Sequence, residues 1–476
     1  MASPAAPADR PATTPAIDLG SPYFVGIGGA GMSGLAKILA VRGAKVAGSD
    51  AKDSTALLAL RQLGCQVHVG HAAENLGDAT CVVVSSAIRA DNRELTAAQE
   101  RGIPVVHRSD ALASLMVGRR AVAVAGTHGK TTTTSMLAVS LTSLGLDPSF
   151  AIGADLNEAG SNAHHGDGEI FVAEADESDR SFLKYSPEVA VVLNVELDHH
   201  ANYASLDEVL DAFEAFAHRI VPGGTLVVSA DDPGAGALRE RLAASAPELT
   251  VVTVGESTDA DLQIVKVEPQ GLASKVTVHA ANGAEHVFDL AVPGRVNASN
   301  AVMALAVGRA LGIDPAAMGG ALGKYQGVRR RFQIKGEAGG VRVVDSYAHH
   351  PTEIAADLET ARGAVGAGRV IAVFQPHLFS RTQQLGTEMG RALAAADIAL
   401  VMDIYAARED PQPGVTSHII AHSALDNGGL VRMEHSWSEV PAVVAAMARP
   451  MDLVLTMGAG DVTLLGPEIL EAINRR

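Results

Sequence analysis

From Pro22 onward, short apolar runs rich in β-branched residues alternate with longer Ala- and Leu-rich stretches of helical character. That order builds parallel sheets covered by helices, so the pattern predicts an α/β chain throughout. Runs at 23–27, 44–48 and 81–84 predict a first sheet ending near Gly118. The apolar run from Ala121 to Ala125 opens a second, continued at 169–173, 188–193 and 224–229. Between about 249 and 290 the texture turns to Val/Thr-rich alternation without long helices, which predicts an antiparallel edge on that second sheet. Strands at 341–345, 369–374, 397–402 and 452–457, separated by helical stretches such as 382–396 and 438–448, predict a third. The expected domains are 21–118, 119–327 and 328–476, after a disordered tail over 1–20.

With 476 residues and 47% hydrophobic content the chain is long enough for about three cores. The formal charge of -17 argues against nucleic acid as a partner, because that affinity comes from cations neutralising phosphates. Any bound phosphate has to be held by local structure. Cys65 and Cys81 are too few to staple such a chain and fit a reducing compartment. The Ala-, Pro- and Thr-rich N-terminus lacks the apolar core of a secretion signal, and no run reaches the roughly 20 apolar residues of a membrane span. The expectation is a cytoplasmic protein that does not enter a membrane.

Two glycine loops carry the chemistry. Gly26-Ile27-Gly28-Gly29-Ala30-Gly31 follows a predicted strand and opens a predicted helix, with Asp50 at the end of the next strand, 19 residues after Gly31. Glycines there let backbone amides approach a diphosphate at a helix N-terminus, and the acid can meet a ribose hydroxyl. Alone, this loop serves NAD as well as a UDP-sugar. Gly126-Thr127-His128-Gly129-Lys130-Thr131-Thr132 sits between the strand 121–125 and a helix running to about Leu144. Amides and the helix dipole can cradle phosphates there, Lys130 can reach the β- and γ-phosphates, and the Thr131 hydroxyl can ligate Mg²⁺. The spacing departs from the usual phosphate loop, since Val124 stands five positions before Gly129. Glu174, Asp176, Glu177 and Asp179 follow the strand 169–173, with Glu174 the first choice for the metal. His199, after the strand 188–193, is a candidate second-metal or acceptor contact.

These segments together resemble the Mur ligases: Gly26–Gly34 as GIGGAGMSG, Gly126–Thr134 as GTHGKTTTT, Glu174–Asp179 as EADESD, Tyr347–Glu353 as YAHHPTE, Phe374–His377 as FQPH and Gly458–Asp461 as GAGD. The resemblance implies a Rossmann-like N-terminal domain for the UDP-sugar, a central P-loop-type ATPase domain with a mostly parallel sheet, and a C-terminal Rossmann-like α/β domain. It implies ATP-dependent ligation of L-alanine to UDP-N-acetylmuramate through an acyl phosphate, with Mg²⁺ or Mn²⁺, in a monomer or homodimer.

Carried over by position, Lys130, His199 and Arg381 would be catalytic. Gly126, Thr127, His128, Gly129, Lys130, Thr131, Thr132, Asn297, Arg331 and Asp345 would bind ATP. Gly28, Gly29, Ala30, Gly31, Met32, Ser33, Asp50, His71, Ser85 and Ser86 would bind the UDP-sugar. Tyr347, His349, His377 and Arg381 would face the amino acid, and Thr131, Glu174 and His199 would hold the metal. Val296, Leu378, Arg180 and His200 differ from the residues commoner in the family; with Leu378 after FQPH, Arg381 becomes the expected charged partner of the substrate. The alternatives are a peptide-recycling or folate polyglutamate ligase of the same fold, an NAD-dependent oxidoreductase, which leaves the second loop without a role, and an inactive nucleotide-binding regulator, which would not need to keep both Lys130 and Glu174.

Overall fold

A computed structural model describes residues 17–153, 162–198, 202–407 and 409–476. The chain divides into two compact units, one formed by residues up to Arg119 with 163–165 and the other by the remainder. The tail expected over 1–20 lies outside the described residues up to position 16.

In the first unit five parallel strands run in the order Gln66–Val69, Ala47–Asp50, Pro22–Val25, Cys81–Val84, Val105–His107. The central strands are buried on both faces, which is why they read as continuous apolar runs and not as alternation. Strand order reverses at Pro22–Val25, so its carboxyl end and that of Cys81–Val84 open the crevice where such sheets bind ligands. The expected run at 44–48 begins later, at Ala47, and ends on Asp50, which puts that carboxylate at the crevice.

The second unit holds two sheets. The first follows the order Glu285–Leu290, Ala273–Ala280, Leu262–Gln270, Thr250–Gly255, Thr225–Ser229, Val189–Val192, Arg120–Ala125, Ile170–Glu174, Ser149–Ala151. Arg120–Ala125 lies between Val189–Val192 and Ile170–Glu174 and pairs in parallel with both, so the three strands point their carboxyl ends the same way. The antiparallel edge begins later than the expected 249: Thr250–Gly255 and Leu262–Gln270 are still parallel to their inner neighbours, and the reversal comes with Ala273–Ala280 and Glu285–Leu290. On the outermost strand Phe288 and Leu290 face inward while Glu285, Val287 and Asp289 are exposed. The helix Pro315–Leu322 lies close against it, since a Cβ on Gly319 would stand 3.2 Å from the Phe288 Cβ.

The last sheet runs Gln333–Ala338, Val341–Ser346, Leu453–Met457, Val370–Phe374, Ile398–Val401, Val431–Met433, parallel except for the first strand. Its side chains alternate between two cores: Val344, Ala372, Phe374 and Leu455 on one face, Val343, Ile371, Val373 and Val454 on the other. The helices expected at 382–396 and 438–448 form as Phe379–Leu393 and Val440–Met447. The three-sheet α/β reading therefore holds. No helix among the described residues is long and apolar enough to cross a membrane.

Candidate active site

The first glycine loop is a turn between Pro22–Val25 and the helix Ala30–Val41. The Gly26 and Ile27 amides both donate to the Ser49 carbonyl, at 2.8 and 2.9 Å, which folds the loop over the neighbouring strand. Gly29 is the N-cap and Ala30 the first helical residue, so the helix dipole points into the crevice. Gly28 is required sterically: a Cβ there would lie 2.9 Å from an Asp50 oxygen and 2.5 Å from Leu57. The Gly28 amide donates to Asp50 at 2.9 Å, so the acid expected at a ribose hydroxyl first serves the loop itself. A Cβ on Gly31 would stand 2.8 Å from the Arg108 guanidinium, a cation beside the loop that the sequence reading did not single out. Met32 and Ser33 are buried in the helix, and Ser85 and Ser86 follow the carboxyl end of Cys81–Val84.

His71 is brought to the same crevice by a buried acid. Glu94 is fully inaccessible and accepts hydrogen bonds from Tyr23, Ser49, Asn75 and the Ala72 amide, at 2.7, 2.5, 3.1 and 3.2 Å. His71 Nδ1 lies 2.9 Å from it. Burial works against the ionised Glu94, but these donors outweigh it and hold its pKa below the usual value. Nothing local in the sequence marks Glu94, because its partners come from three other segments.

The second loop is clamped by the end of the adjacent strand. Asn194 accepts the Thr127 amide on its carbonyl at 3.2 Å and the His128 amide on its side chain at 2.8 Å, and returns a hydrogen bond to the His128 carbonyl at 3.2 Å. Gly126 has a φ of 137° and a Cβ there would strike Leu193 at 2.9 Å; Gly129, at φ 86°, faces Asn300 at 3.0 Å. Both glycines are thus fixed by backbone form and by close neighbours. The helix Lys130–Ser143 begins directly after them, with Thr131 and Thr132 buried in its first turn.

The Lys130 ammonium donates to the Gly126 and Thr127 carbonyls, at 2.6 and 3.2 Å, and to both oxygens of Glu177. Burial disfavours its charge, yet Glu177, Asp176 and Glu174 overcome this and raise its pKa. Glu174 accepts the Gly153 amide at 2.7 Å and a hydrogen bond from the Thr131 hydroxyl; burial raises its pKa against these donors. A hydroxyl and a carboxylate together beside a phosphate loop are the oxygen donors that a hard divalent cation takes. His199 and His200 lie outside the described residues.

Within this unit the C-terminal segment reaches the loop. The Tyr347 ring lies beneath the guanidinium groups of Arg330 and Arg331, at 4.7 and 5.2 Å, and Arg331 also lies 3.4 Å from Glu353. His349 meets the Tyr347 ring edge-on and lies 6.4 Å from the His377 ring, which stacks on Tyr405. Burial lowers the His349 pKa. Arg381 lies 3.4 Å from Asp198. Leu378, just before this helix, has φ 72°, a left-handed value that an L side chain rarely adopts. Two expected ATP contacts are otherwise engaged. Asp345 is fully buried, with its oxygens taken by the Thr456 and Thr463 hydroxyls at 2.8 and 2.6 Å, while Arg330 lies 3.8 Å away. The Asn297 amide group donates to the Pro293 carbonyl at 2.7 Å; one helical turn on, Asn300 is the asparagine against the loop. Val296 is half exposed, and Arg180 lies over the Tyr203 ring.

A strand–loop–helix phosphate cradle, with a lysine and a hydroxyl–carboxylate pair at a sheet's carboxyl edge, defines a nucleoside-triphosphate-using enzyme. Comparison with known proteins places it further. Three family models match in succession: the Mur ligase family catalytic domain over residues 22–120, the Mur ligase middle domain over 124–308, and the Mur ligase glutamate ligase domain over 330–460. The chain belongs to the Mur ligase family. It is 66% identical over 455 residues to a UDP-N-acetylmuramate–L-alanine ligase of Streptomyces coelicolor, covering 95% of this chain and 98% of that one. It is 52% identical to the enzyme of that name from Saccharopolyspora erythraea, over 95% of this chain and 93% of the other. Among solved structures, the UDP-N-acetylmuramate–alanine ligase of Thermotoga maritima superposes with a TM-score of 0.79 at 29% identity, over 95% of this chain and 98% of that chain. A murein peptide ligase of Psychrobacter arcticus shares the fold, with a TM-score of 0.69 at 23% identity, over 96% of this chain and 99% of the other.

Proposed function

We propose that the chain joins L-alanine to UDP-N-acetylmuramate at the expense of ATP, the first addition to the peptidoglycan stem peptide. The observation that carries this reading is the clamped loop Gly126–Thr132, with Lys130, Thr131 and Glu174 converging on one phosphate cradle, in a chain two-thirds identical to enzymes of that name. In this reading domain junctions fall near residues 118 and 327. The crevice of the first sheet takes the UDP-sugar through the amides around Gly28 to Gly31, with Arg108, His71, Ser85 and Ser86 beside it.

A free carboxylate repels nucleophiles and has no good leaving group; phosphorylation by ATP removes both obstacles. The lactyl carboxylate attacks the γ-phosphate and ADP departs as the β,γ bridge breaks; the neutral alanine amine then adds to the acyl phosphate, gives up a proton, and the tetrahedral intermediate expels phosphate. Lys130 places a protonated ammonium where charge builds on the transferred group, and the loop amides from His128 to Thr132 hold the remaining oxygens. Thr131, Glu174 and His199 would hold Mg²⁺ or Mn²⁺, which when bound neutralises phosphate charge. Tyr347, His349, His377 and Arg381 lie on the amino-acid side, with Arg381 as partner of the alanine carboxylate.

The test is phosphate release from ATP with Mg²⁺ and UDP-N-acetylmuramate, adding amino acids one at a time. Stimulation by L-alanine is expected. A stimulus only from a preformed peptide would transfer the chain to the recycling reaction, and no ATP turnover with any acceptor would end the reading.

A further inference from the structure

At the phosphate loop lies a cluster of polar side chains to which the proposed reaction gives no role. Glu196, two residues after the Asn194 clamp, turns one oxygen between two imidazoles: Glu196 Oε2 is 3.5 Å from His128 Nε2 and 3.8 Å from His350 Nδ1. His350 is 5% exposed, the His128 side chain 12%. Neither of these two ring nitrogens makes a hydrogen bond, although buried polar atoms are seldom left so. The two rings lie 4.6 Å apart, so both nitrogens converge on the space around one carboxylate oxygen.

The surroundings are those of a metal's outer shell. The other His128 nitrogen, Nδ1, is 3.4 Å from Glu353, an anionic partner of the kind that orients ligating histidines. Thr352 donates its hydroxyl to Glu196 Oε2 at 2.9 Å and so fixes the carboxylate. Glu353 is itself held by the His349 and His350 amides at 3.1 and 3.4 Å.

We propose that His128, Glu196 and His350 form a site for a zinc-class divalent ion, separate from the oxygen-donor pair Thr131 and Glu174. One ligand atom from each lies within 4.8 Å of the others, against an edge of about 3.3 Å for a tetrahedron with zinc–ligand bonds near 2.0–2.1 Å, so small rotations of the two rings complete the coordination. Two imidazoles and one carboxylate select zinc, nickel or cobalt over magnesium, which prefers an all-oxygen set. The ion would tie the phosphate loop through His128 to the start of the helix Pro351–Val365 through its N-cap His350.

The experiment titrates the metal-free, full-length protein with Zn²⁺ against a chromophoric chelator, with no nucleotide present and Mg²⁺ in large excess. Wild type is expected to hold one more zinc equivalent than His350→Gln or Glu196→Gln, each weakened at least tenfold, while His199→Gln keeps the site. Zinc should also raise the wild-type Tm by roughly 2 °C or more, and His350→Gln, melting normally without metal, should lose that rise. Superimposable titrations of wild type and both variants overturn the proposal, as does loss of zinc in His199→Gln alone. The readout is binding, so its outcome is independent of whether the ligase reading stands.

Discussion

The Lys130 ammonium lies 2.8 Å from one oxygen of Glu177 and 3.0 Å from the other, so the cation expected at the triphosphate is already held by a carboxylate of the same site. Glu177 is buried, and its backbone carbonyl accepts the Tyr203 hydroxyl at 2.6 Å, which anchors the pair. Nucleotide phosphate has to compete with this carboxylate for the ammonium. Glu177→Gln should therefore lower KM for ATP, while the less well-oriented lysine lowers kcat about tenfold. Steady-state kinetics at saturating acceptor check this, and a raised KM with unchanged kcat would be against it.

Glu174 is held by the Gly153 amide and the Thr131 hydroxyl, so a Gln there keeps the shape and removes the charge. Glu174→Gln should raise the Mg²⁺ concentration for half-maximal phosphate release by at least roughly tenfold. An unchanged Mg²⁺ titration would exclude Glu174 as a ligand.

Arg381 is largely buried, is paired with Asp198, and is near enough to His349 for its charge to disfavour the protonated imidazole. Loss of a charge-assisted hydrogen bond of about 1.5–3 kcal/mol predicts that Arg381→Met raises KM for L-alanine by about ten- to a hundredfold. KM for UDP-N-acetylmuramate should move far less. Equal changes in both would assign Arg381 to holding the fold together.

Asp357, one turn of helix beyond Glu353, carries a pH signal of its own. Burial pushes its pKa up to about 7, against the Ser346 hydroxyl that donates to it. A raised carboxyl pKa favours the folded state fully below the ordinary value near 3.8, and that contribution is lost as pH rises through about 7. Asp357→Asn should therefore melt roughly 2–4 °C above wild type at pH 8.5, with the difference shrinking toward pH 5. Thermal melts across that range decide it; a difference that grows on acidification would refute the assignment.

Both glycine loops were legible in the sequence because their signal is local: a strand, a turn that only glycine fits and a helix N-terminus lie within about ten residues of each other. The pairing of Thr131 with Glu174 was legible for the same reason, as each follows its own strand. Glu94 was not, because its role comes from burial among Tyr23, Ser49 and Asn75, and a glutamate in a helix otherwise reads as surface. Glu196 and His350 were missed for a topological reason: Thr352 and Glu196, hydrogen-bonded in space, stand 156 positions apart. The strand Thr250–Gly255 was misread as antiparallel because Val/Thr alternation marks a half-buried strand in either orientation. Tyr347, His349 and His377, expected on the acceptor side from family resemblance alone, lie in one cluster in the structure.

The outer strand Glu285–Leu290 has a consequence for handling the protein at high concentration. An open β-edge is a template on which a second molecule could extend the sheet. Here acidic side chains at Glu285 and Asp289 flank the exposed Val287, so two copies meeting edge to edge would set like charges against each other. Replacing those acids with threonine would remove that repulsion and leave a sticky seam, the first step toward fibrils.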